Sequence, residues 1–259
     1  MDILLTLEMA LFLFSVALTA GFVDAIAGGG GLITVPALLA AGLPPAQALA
    51  TNKLQSTGGS LSASIYFISR GLVNLRELKL AIALTFFGSA LGTVLVQLVS
   101  ANVLQQLIPF LMVVIAAYFM FSPTQRNDKD TRQRISLSLF SCSVAMLIGF
   151  YDGFFGPGTG SFFAIAFVTL LGYSLTKATA HTKVLNCTSN IASLLFFIIG
   201  GKVVWTAGLL MLLGQFLGAR LGARVVTRSG HKVIRPMIVL VSLVMTAKLL
   251  WDQYSTLFF

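Results

Sequence analysis

The sequence predicts an all-α integral membrane protein built from two inverted five-element repeats, each with one short half-helix after a glycine-rich loop. Three observations support this fold class: the composition, the long uncharged segments and an internal repeat. Hydrophobic residues make up 57% of the 259-residue chain and charged residues only 10%, whereas about a quarter of a typical soluble domain is charged. A water-soluble core does not need so much apolar surface.

The uncharged segments have the length of membrane-spanning helices. Residues 101–121 contain no Asp, Glu, Lys or Arg, and about 20 apolar residues cross a bilayer as a helix. The segments are apolar on all sides and lack the alternation of outer-membrane strands, which favours helices. Seven further segments have spanning length and are largely apolar, although they carry a few charged residues such as Glu8, Asp24 and Lys53: 3–27, 46–69, 78–99, 135–155, 175–200, 203–225 and 233–253.

The start of the chain has neither a basic region nor a small-residue cleavage site. This pattern predicts a retained helix rather than a cleaved signal peptide. We therefore expect a multi-pass protein of a bacterial inner membrane. The net charge of +9 comes from basic residues between the apolar segments, where they act as topology signals and not as a nucleic-acid surface.

The two halves of the chain resemble each other. Residues 21–30 align with 149–158, and after a two-residue insertion Lys53 aligns with Lys183. Coinciding glycines, an aspartate and a lysine over about 70 residues indicate a duplication. The predicted organisation is a first transmembrane repeat at 1–121, a polar cytoplasmic linker at 122–134 and a second repeat at 135–259.

The basic residues predict the orientation. If all five elements of each half cross the membrane, the odd number inverts one half relative to the other. Three basic clusters then share one face: 70–79, 126–134 and 220–235. The positive-inside rule makes that face cytoplasmic and both termini periplasmic. If the short pieces were only re-entrant loops, the third cluster would lie outside.

Charged residues inside the membrane are costly and are therefore candidates for function. Asp24 and Asp152 stand beside the glycine loops, and Lys53 and Lys183 follow one helix later. The short pieces 32–41 and 161–171 cover about half the hydrocarbon thickness. Counting along the helices brings each lysine to the depth of a glycine-rich helix N-terminus, where free N–H groups and the helix dipole attract anions.

We therefore predict an anion site near mid-membrane, with the two aspartates as coupling residues. Its predicted substrate-binding residues are Gly28, Gly29, Gly30, Gly31, Asn52, Lys53, Gly158, Thr159, Gly160, Ser161, His181, Lys183 and Asn186. Both ammonium groups are expected to face a central cavity without a partner, so that replacing either lysine by methionine would remove charge yet leave folding intact.

Structural interpretations of the same residues remain open. Glycine runs often permit close helix packing, which is the expected role of the spaced glycines at 88–92 and 214–222. Asp24 and Asp152 either pair with the lysines and cap the glycine loops, or carry a coupled proton. The lysines could instead extend to an interface, and His181 could be a hydrogen-bonded interior histidine.

The paired motifs resemble the TauE/SafE family, the sulfite-exporter family of bacterial membrane permeases. The resemblance rests on Gly-Phe-Val-Asp at 21–24, the glycines at 28–31, Ala-Thr-Asn-Lys at 50–53, and their counterparts at 149–160 and 180–183. It implies a permease that moves sulfite, sulfonates or related organosulfur anions, often outward. The second half departs from the first, with His181 for Thr51 and Thr182 for Asn52, which favours one composite site.

The leading functional hypothesis is a secondary transporter of a small anion, without cofactor or metal. The sequence has no P-loop motif, so we expect coupling to an ion gradient and not to ATP. A passive anion channel, a membrane-embedded enzyme acting on a lipid or thiol, and a helper subunit of another complex are the alternatives. The expected partners are the anion and the lipid bilayer.

Overall fold

A computed structural model describes residues 6–121 and 132–229, and this part of the chain is entirely helical. It contains nine helices: α1 (Leu7–Ala27), α2 (Gly30–Ala40), α3 (Pro45–Ser69), α4 (Lys79–Leu98), α5 (Ala101–Phe121), α6 (Leu137–Phe154), α7 (Thr159–Leu171), α8 (Leu175–Ile199) and α9 (Trp205–Ser229). The predicted segment 233–253 and most of the predicted linker 122–134 lie outside the described residues.

Five helices are long and apolar enough to cross a membrane: α1, α4, α6, α8 and α9. Helix α3 is as long as α8, at 25 residues, but it is more polar because it contains five serines, Ser56, Ser60, Ser62, Ser64 and Ser69. The two short pieces are helices of 11 residues (α2) and 13 residues (α7). Each begins two residues earlier than the sequence predicted.

Two helix pairs pack backbone against backbone at spaced glycines. A Cβ added to Gly218 of α9 would lie 1.9 Å from the Leu18 carbonyl oxygen of α1, and one added to Gly92 of α4 would lie 2.1 Å from the Phe150 carbonyl oxygen of α6. Only glycine allows helix axes to approach this closely. The predicted packing role of the glycines at 88–92 and 214–222 is confirmed.

The outer faces of these helices are apolar. On α4 the exposed side chains Phe87, Leu91 and Leu95 follow one another at helical spacing, on a different side from the packed glycines. Helix α9 exposes Leu209 and Leu213 in the same way. Long exposed apolar stripes are unfavourable in water and suit the lipid chains of a bilayer.

Helices α1 and α2 form one hairpin, because α2 turns back along α1. Leu38 of α2 packs in one cluster with Leu13 and Ala17 of α1. Helices α6 and α7 form a second hairpin, in which the Phe140 and Phe167 rings lie 4.8 Å apart and the backbone N–H of Arg134 donates to the Leu170 carbonyl.

The open ends of the two hairpins lie at opposite ends of α3. Ala48, near the start of α3, packs with Leu13 and Leu38 of the first hairpin. Phe67, near the end of α3, packs in the cluster of Phe140 and Phe167 of the second. Most of the length of α3 separates these two contacts, so the hairpins enter the bundle from opposite sides and their tips meet inside it.

Candidate functional site

The tips of the two hairpins touch through glycine backbone. Gly28 ends α1 with φ +81°, a left-handed conformation that glycine adopts at low cost. A Cβ on Gly28 would lie 2.3 Å from the carbonyl carbon of Gly160, and a Cβ on Gly160 would lie 2.6 Å from the Cα of Gly28. No side chain fits at this contact, so the first turns of α2 and α7 are held close together.

Two buried ion pairs connect the hairpins crosswise. Lys53 Nζ on α3 lies 2.8 Å from Asp152 Oδ1 on α6, and Lys183 Nζ on α8 lies 2.9 Å from Asp24 Oδ2 on α1. Both lysines are 1% exposed. Each lysine therefore pairs with the aspartate of the other sequence half, and the expectation that the ammonium groups lack partners is wrong.

The aspartates also bind the start of the short helices. Asp24 Oδ1 accepts a hydrogen bond from the backbone N–H of Gly30 at 3.2 Å, and Asp152 Oδ1 accepts one from the Thr159 hydroxyl at 2.8 Å. Both aspartates therefore make the contacts expected of lysine partners and of caps of the glycine loops. One difference separates them: both oxygens of Asp24 are engaged, while Asp152 Oδ2 is buried without a hydrogen-bond partner among the described residues.

A small cavity lies between the hairpin tips and the middle of α3 and α8. The cavity has a volume of about 20 Å³, which is enough for one or two water molecules. The residues that line it belong to both hairpins and both long helices: Asp24, Gly28, Gly31, Asn52, Ser56, Asp152, Gly156, Gly158, Thr159, Gly160, Asn186 and Asn190. The structure thus brings together nine of the residues that the sequence predicted for the site.

The cavity wall is rich in hydrogen-bond donors. The backbone N–H groups of Gly31 and Gly160, in the first turns of α2 and α7, have no acceptor in the described chain. The Asn52 side-chain oxygen already accepts from Thr34 and Gln55, and that of Asn186 accepts from Asn190. This leaves the amide nitrogens of Asn52 and Asn186 as donors toward the cavity.

The other predicted residues do not line the cavity, and all of them except His181 lie next to residues that do. Lys53 and Lys183 stand behind the wall, against the carboxylates. Gly29 and Gly30 turn the chain between α1 and α2, and the Ser161 hydroxyl donates to the Ala27 carbonyl.

His181 is placed elsewhere. Its ring packs against Tyr173 and Phe167, with centroids 5.0 and 5.6 Å away. Its Nδ1 lies 2.8 Å from the Lys177 carbonyl oxygen. This is the environment of a hydrogen-bonded interior histidine.

Three lining residues were not among the predicted site residues: Ser56, Gly156 and Asn190. Ser56 stands four residues after Asn52 and Asn190 four after Asn186, so helical periodicity places each on the same face as its predicted neighbour. Gly156 belongs to the glycine loop before α7. Helical spacing and the glycine loop could therefore have predicted all three residues from the sequence.

Comparison with known proteins identifies the chain. The family described as "Sulfite exporter TauE/SafE" matches residues 13–249. "Probable membrane transporter protein YfcA" of Escherichia coli (strain K12) is 58% identical over 94% of this chain and 90% of its own length. A "Probable membrane transporter protein" of Haemophilus influenzae is 51% identical over 95% of this chain and 96% of its own length.

A third relative, "Probable membrane transporter protein ORF9" of Sinorhizobium sp, is 48% identical over 96% of this chain and 95% of its own length. No solved structure matches the chain. The family is described as an exporter and these relatives as probable membrane transporters, so the chain belongs to a transporter family and is not the membrane-embedded enzyme considered from the sequence. The chain is a multi-pass membrane protein and belongs to the TauE/SafE family of transporters.

Proposed function

We propose that this protein is a secondary transporter that exports a small anion such as sulfite, a sulfonate or another organosulfur compound. The observation that carries the proposal is the cavity between two facing glycine-rich helix N-termini, where the N–H groups of Gly31 and Gly160 have no acceptor among the described residues. Free N–H groups and the positive dipole ends make such a place an anion site. Discontinuous helices are used for this purpose in other secondary transporters.

The charges of the site support a small anion. Each lysine is neutralised by its aspartate, so the two ion pairs together contribute no net charge. Two helix N-termini remain, each equivalent to about half a positive charge. Lys53 and Lys183 do not line the cavity, but they contribute to the site by neutralising Asp152 and Asp24. Without them, the two carboxylates would repel the anion. The narrow cavity requires the tips to separate slightly when the anion enters.

The test uses purified protein. In a thermal-shift screen, we expect sulfite, thiosulfate or a small sulfonate to raise the melting temperature, because a ligand that binds the native state stabilises it. Small carboxylates serve as the comparison. The stabilising anion should then show counterflow into proteoliposomes, which a passive channel does not produce. Absence of both stabilisation and flux for every sulfur oxyanion would contradict the proposed function.

We further propose that Asp24 or Asp152 carries a coupled proton. Protonation of either carboxylate releases its lysine from the ion pair, and the freed charge favours anion binding. In the same proteoliposomes, Asp24→Asn or Asp152→Asn is expected to abolish flux driven by a pH gradient while anion exchange continues. If both variants keep the full response to the pH gradient, the carboxylates are structural only.

For the topology, we propose two inverted repeats in a bacterial inner membrane, with both termini periplasmic. The crossed ion pairs and the opposite entry of the two hairpins support this arrangement. A green fluorescent protein fused to the C-terminus is expected to stay dark, because the positive-inside rule puts that end outside. The control is the same reporter inserted into the linker 122–134, which should fluoresce. A bright C-terminal fusion would contradict the inverted arrangement.

A further inference from the structure

One residue of the cavity lining, Asp152, has a carboxylate oxygen that no donor of the described chain satisfies. Asp152 lines the cavity and is 2% exposed. Its Oδ1 accepts hydrogen bonds from both Lys53 and Thr159, while its Oδ2 has no hydrogen-bond partner in the part of the chain that the structure describes. A buried acceptor without a donor is costly, and the cost is greater for a charged oxygen. Some hydrogen must therefore face Oδ2 in the working protein.

No donor of the described residues lies within hydrogen-bond distance of Oδ2. The Lys53 ammonium donates to Oδ1 and to the Asp152 backbone carbonyl. The Thr159 hydroxyl is directed to Oδ1 and the Gly156 carbonyl. At the equivalent aspartate, Asp24, both oxygens are satisfied by Gly30 and Lys183. The unsatisfied acceptor is therefore confined to the Asp152 side of the cavity.

A fully oxidised anion without hydrogen does not suit this wall. Its oxygens could accept hydrogen bonds from the N–H groups of Gly31 and Gly160 and from the side-chain amides of Asn52 and Asn186. One of its oxygens would also face the carboxylate of Asp152, and two acceptors in contact repel each other. A dianion would meet this repulsion with twice the charge, against only about one positive charge from the two helix ends.

We infer that the ligand is a monoanion that carries its own hydrogen-bond donor, and that this donor binds Asp152 Oδ2. Suitable donors are the hydroxyl of a hydroxyalkyl sulfonate, the ammonium of an aminoalkyl sulfonate or the hydrogen of hydrogen sulfite. The inference rests on the proposed function and narrows its substrate class. The coupled proton then belongs to Asp24 or crosses the membrane on the ligand itself.

The experiment compares three probes on the purified full-length protein by thermal shift and by isothermal titration. Methanesulfonate is a monoanion without a donor, hydroxymethanesulfonate adds a hydroxyl at the same charge, and sulfate is a dianion without a donor. We expect hydroxymethanesulfonate to bind at least tenfold more tightly than methanesulfonate, a difference of about 1.4 kcal/mol, and sulfate to bind most weakly.

Two variants locate the effect. Asp152→Asn replaces the bare carboxylate oxygen by a neutral amide and should reduce the preference for the hydroxyl to less than threefold. The matched control is Asp24→Asn, which changes the equivalent aspartate and should keep the preference. If Asp152→Asn does not fold, the comparison of the two sulfonates on the unmodified protein decides the question.

The outcomes separate the two proposals. Equal binding of both sulfonates would overturn the inference and leave the anion site intact, because Asp152 would then carry the hydrogen itself. A preference that survives in Asp152→Asn would also overturn it. If no sulfur oxyanion binds or is transported, the proposed function fails, and the inference fails with it.

Discussion

Replacing Gly28 by alanine is expected to destabilise the protein severely and to abolish transport. Two costs add at this position. The left-handed backbone, with φ +81°, costs about 1–2 kcal/mol once a Cβ is present. The added Cβ would also lie 2.3 Å from the Gly160 carbonyl carbon, and overpacking of this kind costs about 1–3 kcal/mol. Because the obstacle is backbone, no side-chain rotation relieves it.

Gly42 provides a matched control. Its φ of +87° is nearly the same as that of Gly28, but no atom of the described residues lies within 4 Å of its added Cβ. Gly42→Ala should therefore show only the backbone cost. The measurement is the thermal unfolding of both variants in the same detergent, together with anion counterflow. Equal melting temperatures for the two variants would mean that the hairpin tips do not touch.

Replacing Lys53 by methionine is expected to have a second large effect. The change leaves Asp152 buried and charged without its partner, and breaking a buried ion pair from one side costs about 3–5 kcal/mol. This reverses the expectation from the sequence alone, which treated the lysine as an unpaired cation. Anion affinity should also fall by at least tenfold, or about 1.4 kcal/mol, since an uncompensated carboxylate would then border the site.

A double-mutant cycle separates the ion pair from the loss of the side chain. Lys53→Met with Asp152→Asn removes both charges, and we expect it to recover much of the stability lost in Lys53→Met. Lys202→Met is the control, because Lys202 is exposed and such changes stay within about 0.5 kcal/mol. Additive losses in the double variant would contradict a direct Lys53–Asp152 interaction.

Much of the fold was predictable because a membrane-spanning helix requires a long apolar segment, which is visible in the sequence. The segment 101–121 and the half-length pieces were recognised from uncharged runs and glycine loops. The starts of α2 and α7 were placed two residues late. Gly30 and Thr159 join their helices because the carboxylates of Asp24 and Asp152 bind the first turns, and such capping depends on three-dimensional contact.

The sequence predicted most of the residues of the site, but not which of them form ion pairs. The sequence placed the aspartates, lysines and asparagines at one depth, but it could not determine which lysine meets which aspartate, since that depends on how the hairpins dock. His181 illustrates a signal that was available. It stands two residues before Lys183, about 200° around the helix, and therefore points away from the face that carries Lys183 and Asn186.

The crossed ion pairs also bear on how the chain is made. The first half enters the membrane before the second is synthesised, and at that stage Lys53 and Asp24 lack the residues that neutralise them in the finished protein. An unpaired charge at the centre of a membrane helix costs about 2.5–3.5 kcal/mol on insertion scales. We therefore expect the early helices to insert stably only after α6 supplies Asp152 and α8 supplies Lys183. Docking of the second half against the first would then be the last step of membrane insertion.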